Sequence, residues 1–166
     1  KTRTAVWGSS KWFFELIDTL IDYVAQKLEI QANAGADVLM IFDSWSHMIP
    51  NQFFENLCIR STAKIIEILR SKKIKQPIIG FPFKAGTFLT KYSYESQVDG
   101  LALDWTVDLK WAIQNLNSCL VFQGNLDPSS LIPNDNRLIY ENVIAILETM
   151  TNKKFIFNVG HGLTPE

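Results

Sequence analysis

The sequence has 166 residues, of which 47% are apolar and 12% aromatic, and sixteen basic residues against seventeen acidic ones give a formal net charge of -1. A nearly neutral chain lacks the broad basic surface that binds a phosphate backbone, so we expect no nucleic-acid partner. The apolar runs are interrupted long before the roughly 20 residues that cross a bilayer, so we expect no membrane partner either. This length and apolar content suit one hydrophobic core.

The predicted elements alternate between helix and strand along the chain. Residues 11–34 carry apolar side chains at helical spacing, and Gly35 follows as a C-cap. Residues 38–42 form a continuous apolar run that is too short for a helix and typical of a strand buried on both faces. The same pattern then repeats, with helices at residues 53–70, 86–97, 107–116 and 135–150, and strands at residues 77–81, 100–103, 118–122 and 154–157.

Strands that are apolar throughout and separated by single helices predict parallel pairing with right-handed crossovers, which is the α/β class. An open doubly wound sheet usually carries a Gly-rich phosphate loop after an early strand, and the sequence has none. A (β/α)8 barrel needs about 250 residues, so about five parallel strands would be its second half. The chain starts at Lys1 without a Met and stops at Glu166 after a Gly-rich turn. We therefore interpret residues 1–166 as a single partial domain, cut at both ends.

Polar residues cluster where the predicted strands end. The first strand is followed by Asp43-Ser44-Trp45, the third by Asp104-Trp105-Thr106, the fourth by residues 123–128 and the fifth by residues 158–162. In a parallel barrel the carboxyl ends of the strands converge on one face, so we expect these side chains to meet around a common mouth.

Some of these residues also have purely structural explanations. Asp43 and Asp104 could each cap the helix that follows, since Asp accepts hydrogen bonds from unpaired backbone N–H groups there. Gly124-Asn125 could be only a turn. Asp127-Pro128 suits the entry to a short helical turn, and for this pair we favour the structural role.

The two histidines differ in context. His161 lies between Gly160 and Gly162, which allow close backbone approach and place the imidazole on an open loop, so we favour a functional role. His47 is interpreted as a solvated loop residue. The cysteines, Cys58 and Cys119, have no metal-binding spacing, so we expect two reduced, buried thiols, no metal site and a cytoplasmic protein.

Four motifs carry a family resemblance. In their order and spacing, these motifs resemble those of the uroporphyrinogen decarboxylase family. They are Phe42-Asp43-Ser44-Trp45, Asp104-Trp105-Thr106, 123–128 (Gln-Gly-Asn-Leu-Asp-Pro) and 158–162 (Asn-Val-Gly-His-Gly). Departures are Val159, where Leu is common, and Ser46-His47, where small residues are usual. Neither departure removes a chemical group that the family uses.

The resemblance implies a lyase of haem biosynthesis that converts uroporphyrinogen III to coproporphyrinogen III by removing four acetate carboxylates. No metal or organic cofactor is implied, because a protonated pyrrole of the substrate is itself the electron sink. By resemblance Phe42 packs on the macrocycle, Ser44 hydrogen-bonds a substrate carboxylate, and His161 contacts a carboxylate or a pyrrole edge. Further residues expected to line the cleft are Asp43, Asp104 and Asn125.

The resemblance also places the family's essential Asp and its Arg-rich substrate-binding segment before Lys1, so we expect this piece alone to be inactive. Family members are usually homodimers joined through the active-site face, and dimer contacts from this chain are expected. A half barrel exposes two sheet edges and apolar inner faces, which also predicts self-association.

Two alternatives remain open from the sequence. The same barrel superfamily includes methyltransferases that hold zinc through His and Cys, but Cys58 falls within a predicted helix and Cys119 at a strand start, away from the mouth. The other alternative is a half barrel that binds or assembles without catalysis.

Overall fold

A computed structural model describes residues 2–8, 11–133 and 135–163 of the chain. A π-helical turn, Glu55–Ile59, joins the third helix to the fourth, and 3-10 turns occupy Ser46–Met48 and Pro128–Leu131. The α-helices of the described ranges are α1 (Thr2–Trp7), α2 (Lys11–Asn33), α3 (Asn51–Phe54), α4 (Arg60–Ser71), α5 (Phe88–Glu95), α6 (Leu109–Asn115) and α7 (Asn136–Thr149).

Within the described residues, five strands form one parallel sheet in the order β1-β2-β3-β4-β5. Neighbours in space are therefore neighbours in sequence, whereas an open doubly wound sheet would reverse its strand order. The predicted α/β class and the half-barrel arrangement are confirmed. The strands are β1 (Leu39–Asp43), β2 (Ile78–Pro82), β3 (Gly100–Ala102), β4 (Val121–Leu126) and β5 (Phe155–Val159).

The two faces of the sheet are packed differently. Alternate strand residues point to opposite sides, so Leu39 and Ile41 face the helices while Met40 lies on the other side. The helix-side core is continuous and includes Leu39, Ile66, Leu69, Ile78, Tyr92 and Leu101. The opposite face has a smaller cluster of Ile79, Phe81, Phe83 and Ala102, against which Met40 and Trp105 pack.

The fourth and fifth strands differ from the sequence-based expectation. The structure places β4 at Val121–Leu126 instead of residues 118–122, and β5 extends through Val159 instead of ending at residue 157. The alternative that Gly124-Asn125 is only a turn does not hold, because Asn125 pairs with Asn158 in the ladder. Tertiary pairing with β5 overrides the local turn preference of these residues.

Two smaller differences concern the start of the chain and the cysteines. Helix α1 had not been predicted. Cys58 is buried, as expected, but Cys119 is exposed, so the expectation of two buried thiols was wrong for Cys119. None of the helices in the described parts of the chain is both long and apolar enough to span a bilayer.

Candidate active-site cleft

A cleft of about 350 Å³ opens on the helix-free side of the sheet, toward the carboxyl ends of the strands. Each of the strands contributes at least one side chain to the lining of the cleft. The lining residues are Met40, Phe42, Ser44, Phe81, Ala102, Leu103, Gln123, Asn158, Val159, His161 and Gly162. Apolar walls with a few polar groups are the usual composition of a site for an organic ligand.

Four aromatic rings, Phe81, Phe83, Trp105 and His161, form an aromatic cluster at the mouth. The His161 ring centroid lies 4.6 Å from that of Phe83 and 6.0 Å from that of Trp105. Phe83 in turn lies 5.4 Å from Trp105 and 5.9 Å from Phe81. The exposed ring of Phe42 extends the cluster, with its centroid 6.1 Å from Phe81. Such a surface can pack against a large conjugated ligand.

His161 is positioned by the glycine before it. The Gly160 N–H donates to the Leu126 carbonyl at 2.7 Å, and a Cβ at residue 160 would lie 2.4 Å from the Trp105 nitrogen. Only glycine permits this approach of the loop after β5 to the loop after β3. A Cβ at Gly162, by contrast, would meet nothing within 4 Å. The imidazole of His161 is thereby held, half-buried, against the aromatic cluster.

Asp104 and Asn125 are buried, and their side chains bind the protein's own loops. Asp104 Oδ2 accepts a hydrogen bond from the Lys84 N–H at 2.9 Å, and Oδ1 accepts from the backbone N–H and the hydroxyl of Thr106. Asn125 Nδ2 donates to the carbonyls of Asp104 and Val107 at 2.9 and 2.8 Å. Together they fix the β2–α5 and β3–α6 loops, which carry Phe83 and Trp105.

Neither residue lines the cleft of His161. Asn125 instead contributes to a wider depression of about 630 Å³ on the other side of β4, beside α6 and α7. The structural alternative of helix capping also does not apply to Asp104, because Asp108 is the N-cap of α6 and accepts from the Trp111 N–H at 2.8 Å. Asp127 does initiate a helical turn, as expected, by accepting from the Ser129 N–H.

Asp43 lies at the end of β1 with its carboxyl group on the helix side, beside Cys58, and does not line the cleft. Burial raises the pKa of Asp43 above its ordinary value, opposed by hydrogen bonding from Cys58 and the Trp45 N–H and by the charge of nearby His47. Burial also raises the pKa of Cys58. Asp43 is not a helix N-cap, since the next turn begins after Trp45.

Three further residues near the mouth had not been singled out from the sequence. Ser46 is fully buried, and its Oγ donates to the Phe83 carbonyl at 2.6 Å, which ties the β1 and β2 loops together. Phe83 and Lys84 directly follow β2. Asp43 and Asp104 had been selected from the sequence because they lie at the same position relative to their own strands. The available signal for Phe83 and Lys84 was their place after a strand, but neither is a typical acid, base or metal ligand.

His47 is exposed, as expected, with its ring stacked on Trp45 and perpendicular to the ring of Phe83. Within residues 2–8, 11–133 and 135–163, no group of three or more His, Cys, Asp or Glu side chains is placed to hold a metal ion. Cys58 lies in the π-helical turn and Cys119 just before β4, so neither thiol reaches the cleft.

The comparisons with known proteins agree with these motifs. The profile of the uroporphyrinogen decarboxylase (URO-D) family matches residues 1–166. The chain belongs to this family. It is 41% identical over 150 residues to a uroporphyrinogen decarboxylase of Orientia tsutsugamushi, covering 90% of this chain and 44% of that protein.

Two further uroporphyrinogen decarboxylases show similar identity. The one from Maricaulis maris is 39% identical over 166 residues, which is all of this chain and 48% of that protein, and the one from Brucella canis is 42% identical over 154 residues, or 93% and 45%. The chain therefore spans about half the length of the curated relatives it matches.

Proposed function

We propose that the protein to which this chain belongs is a carboxy-lyase that converts uroporphyrinogen III to coproporphyrinogen III in haem biosynthesis. The proposal rests on the cleft of this URO-D family chain, which lies at the carboxyl ends of the five parallel strands. Phe42, Ser44 and His161 line this cleft, and its walls are partly aromatic. Relatives at about 40% identity are named uroporphyrinogen decarboxylase.

The chemistry requires binding and charge stabilisation. Protonation of a pyrrole carbon makes the substrate its own electron sink, so the acetate carboxylate leaves as CO2 and its bonding electron pair forms an exocyclic double bond, without an organic cofactor or a metal. A proton then adds to the methylene carbon to give the methyl group, and the ring carbon loses its added proton to restore the pyrrole. A preorganised carboxylate in a site of low dielectric stabilises the developing cation. Our proposal assigns this role to an Asp in the half of the family's length that this chain does not span, so the chain alone is expected to be inactive.

Within this chain the proposed roles are in substrate binding. Phe42 is 65% exposed and presents its ring to the cleft, where the macrocycle would displace water from it. The Ser44 hydroxyl is proposed to donate to a substrate carboxylate, and a His161 ring N–H to a carboxylate or to a pyrrole edge. Phe42 reaches the cleft from the end of β1, Ser44 from the loop after β1 and His161 from the loop after β5.

We also propose a homodimer in the cytoplasm. The edge strand β5 exposes Ile156 and Phe157 by 42% and 40%, and β1 leads to the exposed Phe42 and Trp45. Apolar side chains at sheet edges favour a covering partner, either the rest of the barrel or a second copy of the chain. Free thiols at Cys58 and Cys119 are consistent with a reducing compartment.

The test is anaerobic turnover of uroporphyrinogen III by the full-length protein and its His161→Ala variant. Loss of a charge-assisted hydrogen bond should lower kcat/KM roughly 10-fold to 100-fold. Lys153→Ala is the control and should change kcat/KM less than about 2-fold, because Lys153 is exposed and precedes the amino end of β5, away from the cleft. Unchanged kinetics for His161→Ala would refute the role of His161. A full-length protein that forms no coproporphyrinogen III would refute the enzyme and favour a protein that binds or assembles without catalysis.

A further inference from the structure

Lys84 adopts a backbone conformation that its position in the fold does not explain. Within the described ranges, four residues other than glycine have positive φ, namely Lys73, Lys84, Gln97 and Asn152. Lys73, Gln97 and Asn152 each follow the end of a helix, where a left-handed residue commonly caps the last turn. Lys84, with φ of 52°, instead follows strand β2. Left-handed residues with side chains are disfavoured, and beside a cleft they often have a functional reason.

The turn at Lys84 is held in place by the buried carboxylate of Asp104. The Lys84 N–H donates to Asp104 Oδ2 at 2.9 Å, and Asp104 is only 2% exposed. The bond involves the backbone of Lys84, so it constrains the direction of the side chain without occupying the ammonium group. The turn is therefore fixed by its neighbours in an orientation that the residue itself does not prefer.

The Lys84 ammonium lies over two rings of the aromatic cluster. Its Nζ is 5.2 Å from the centroid of Phe83 and 5.0 Å from that of Trp105. Both distances lie within the range of cation–π attraction, while the side chain remains exposed. Since the Phe83 ring also contacts His161, Lys84 and His161 are separated by a single aromatic ring.

The surrounding charges leave the ammonium available for an external anion. Across the described parts of the chain, no carboxylate forms an ion pair with Lys84, whereas Lys64, Lys72 and Lys91 are each paired with an acid. Of the acids near the mouth, Asp104 is engaged by Lys84 N–H and Thr106, and Asp43 lies on the helix side of the sheet.

We propose that Lys84 is a substrate-binding residue whose ammonium, held over Phe83 and Trp105, binds one carboxylate of a polycarboxylate substrate seated against His161. This inference rests on the proposed function and deepens it by adding a cation to the binding site. Because the two rings already restrict the ammonium, less side-chain entropy is lost when the carboxylate binds. Lys84 acts in binding, so its loss should raise KM more than it lowers kcat.

The experiment uses the full-length protein with Lys84→Met, Lys84→Arg and, as a control, Lys153→Met. Lys153 is exposed before the amino end of β5, and its substitution removes the same charge far from the mouth. The readouts are KM and kcat for uroporphyrinogen III and the Kd of coproporphyrinogen III, all measured anaerobically. Lys84→Met should raise KM and Kd roughly tenfold, as expected for one charge-assisted hydrogen bond. Lys84→Arg should restore most of the affinity, and Lys153→Met should leave both constants unchanged.

A third substitution at the same position, Lys84→Gly, separates binding from folding. Glycine suits the positive φ and keeps the N–H bond to Asp104, so the midpoint of thermal unfolding should be unchanged or higher while KM rises as in Lys84→Met. If Lys84→Met and Lys84→Gly bind and turn over like the wild type, the inference is wrong and the proposed function stands. If the wild type neither binds coproporphyrinogen III nor consumes uroporphyrinogen III, the proposed function fails and the inference fails with it.

Discussion

The two faces of the sheet use apolar residues for different purposes. On the helix side, Leu69, Ile78 and Leu101 are completely buried within one continuous core. On the cleft side, Phe42 is 65% exposed although it occupies the same strand as fully packed Leu39. Exposed apolar rings gathered at a concave site mark a place for a ligand, because they gain nothing by remaining in water. We therefore expect the helix side to determine stability, and we propose that the cleft side determines binding.

The largest expected effect contrasts Leu69→Ala with Phe42→Ala. Leu69→Ala removes a fully buried side chain of α4 and should lower the free energy of unfolding by about 2–5 kcal/mol. Phe42→Ala should change it by less than about 1 kcal/mol, since most of the ring is already in water, while raising KM for the porphyrinogen. Urea unfolding and steady-state kinetics of the full-length protein measure both.

The proposed difference between the two faces would be contradicted if Phe42→Ala destabilised the protein as much as Leu69→Ala. It would also be contradicted if Phe42→Ala left KM unchanged. Strong destabilisation would show that the ring of Phe42 serves in packing, and an unchanged KM would show that it does not serve in binding.

A smaller effect is expected for Asp104→Ala, which sharpens the comparison because buried Asp104 anchors the two loops that carry Phe83 and Trp105. Removing the carboxylate leaves the Lys84 and Thr106 N–H groups without their acceptor and should lower the free energy of unfolding by about 3 kcal/mol. It should also raise KM, since the loops carrying Phe83 and Trp105 lose their anchor. The matched control is Asp108→Ala, which removes only the N-cap of α6 and should cost about 1 kcal/mol without affecting KM. Equal effects of the two variants would contradict the anchoring role.

The smallest effect depends on pH and concerns Asp43 on the helix side. Because burial raises the pKa of the folded carboxyl group above 3.8, the folded state holds its proton to higher pH than the unfolded chain does. As pH rises from 3.8 to the pKa of the folded state, the free energy of unfolding of the wild type therefore falls relative to that of Asp43→Asn. The total fall is about 1.4 kcal/mol for each unit by which folding raises the pKa. Urea unfolding of both proteins between pH 4 and pH 8 measures the difference. A difference that stays constant over this range would show that the folded state does not raise the pKa of Asp43.

Much of the fold could be predicted because strand and helix periodicities are local. Helix α2 was expected at residues 11–34 and is observed at Lys11–Asn33, and β1 was expected at residues 38–42 and is observed at Leu39–Asp43. The error at β4 arose where pairing is not local: Gly124 and Asn125 have strong turn preferences, yet they pair with residues more than thirty positions later in the chain.

The candidate site was only partly accessible from the sequence. Phe42, Ser44 and His161 could be selected because they lie at or just after strand ends within recognisable motifs, and the structure brings them to one cleft. Asp104 and Asn125 were selected by the same rule, but their side chains bind backbone groups of the loops. Lys84 was not selected from the sequence because its proposed role depends on the rings of Phe83 and Trp105. Trp105 lies 21 positions after Lys84, so only the folded chain brings the two together.

The sequence by itself determined the alternation of elements, the parallel sheet and the set of polar residues at strand ends, because each depends on spacing within a few residues. Only the tertiary structure decided which of those polar side chains face the cleft and which support the loops around it. The reason is that a side chain at a strand end can turn to either side of the sheet, and the choice depends on the donors, acceptors and rings that distant segments bring beside it.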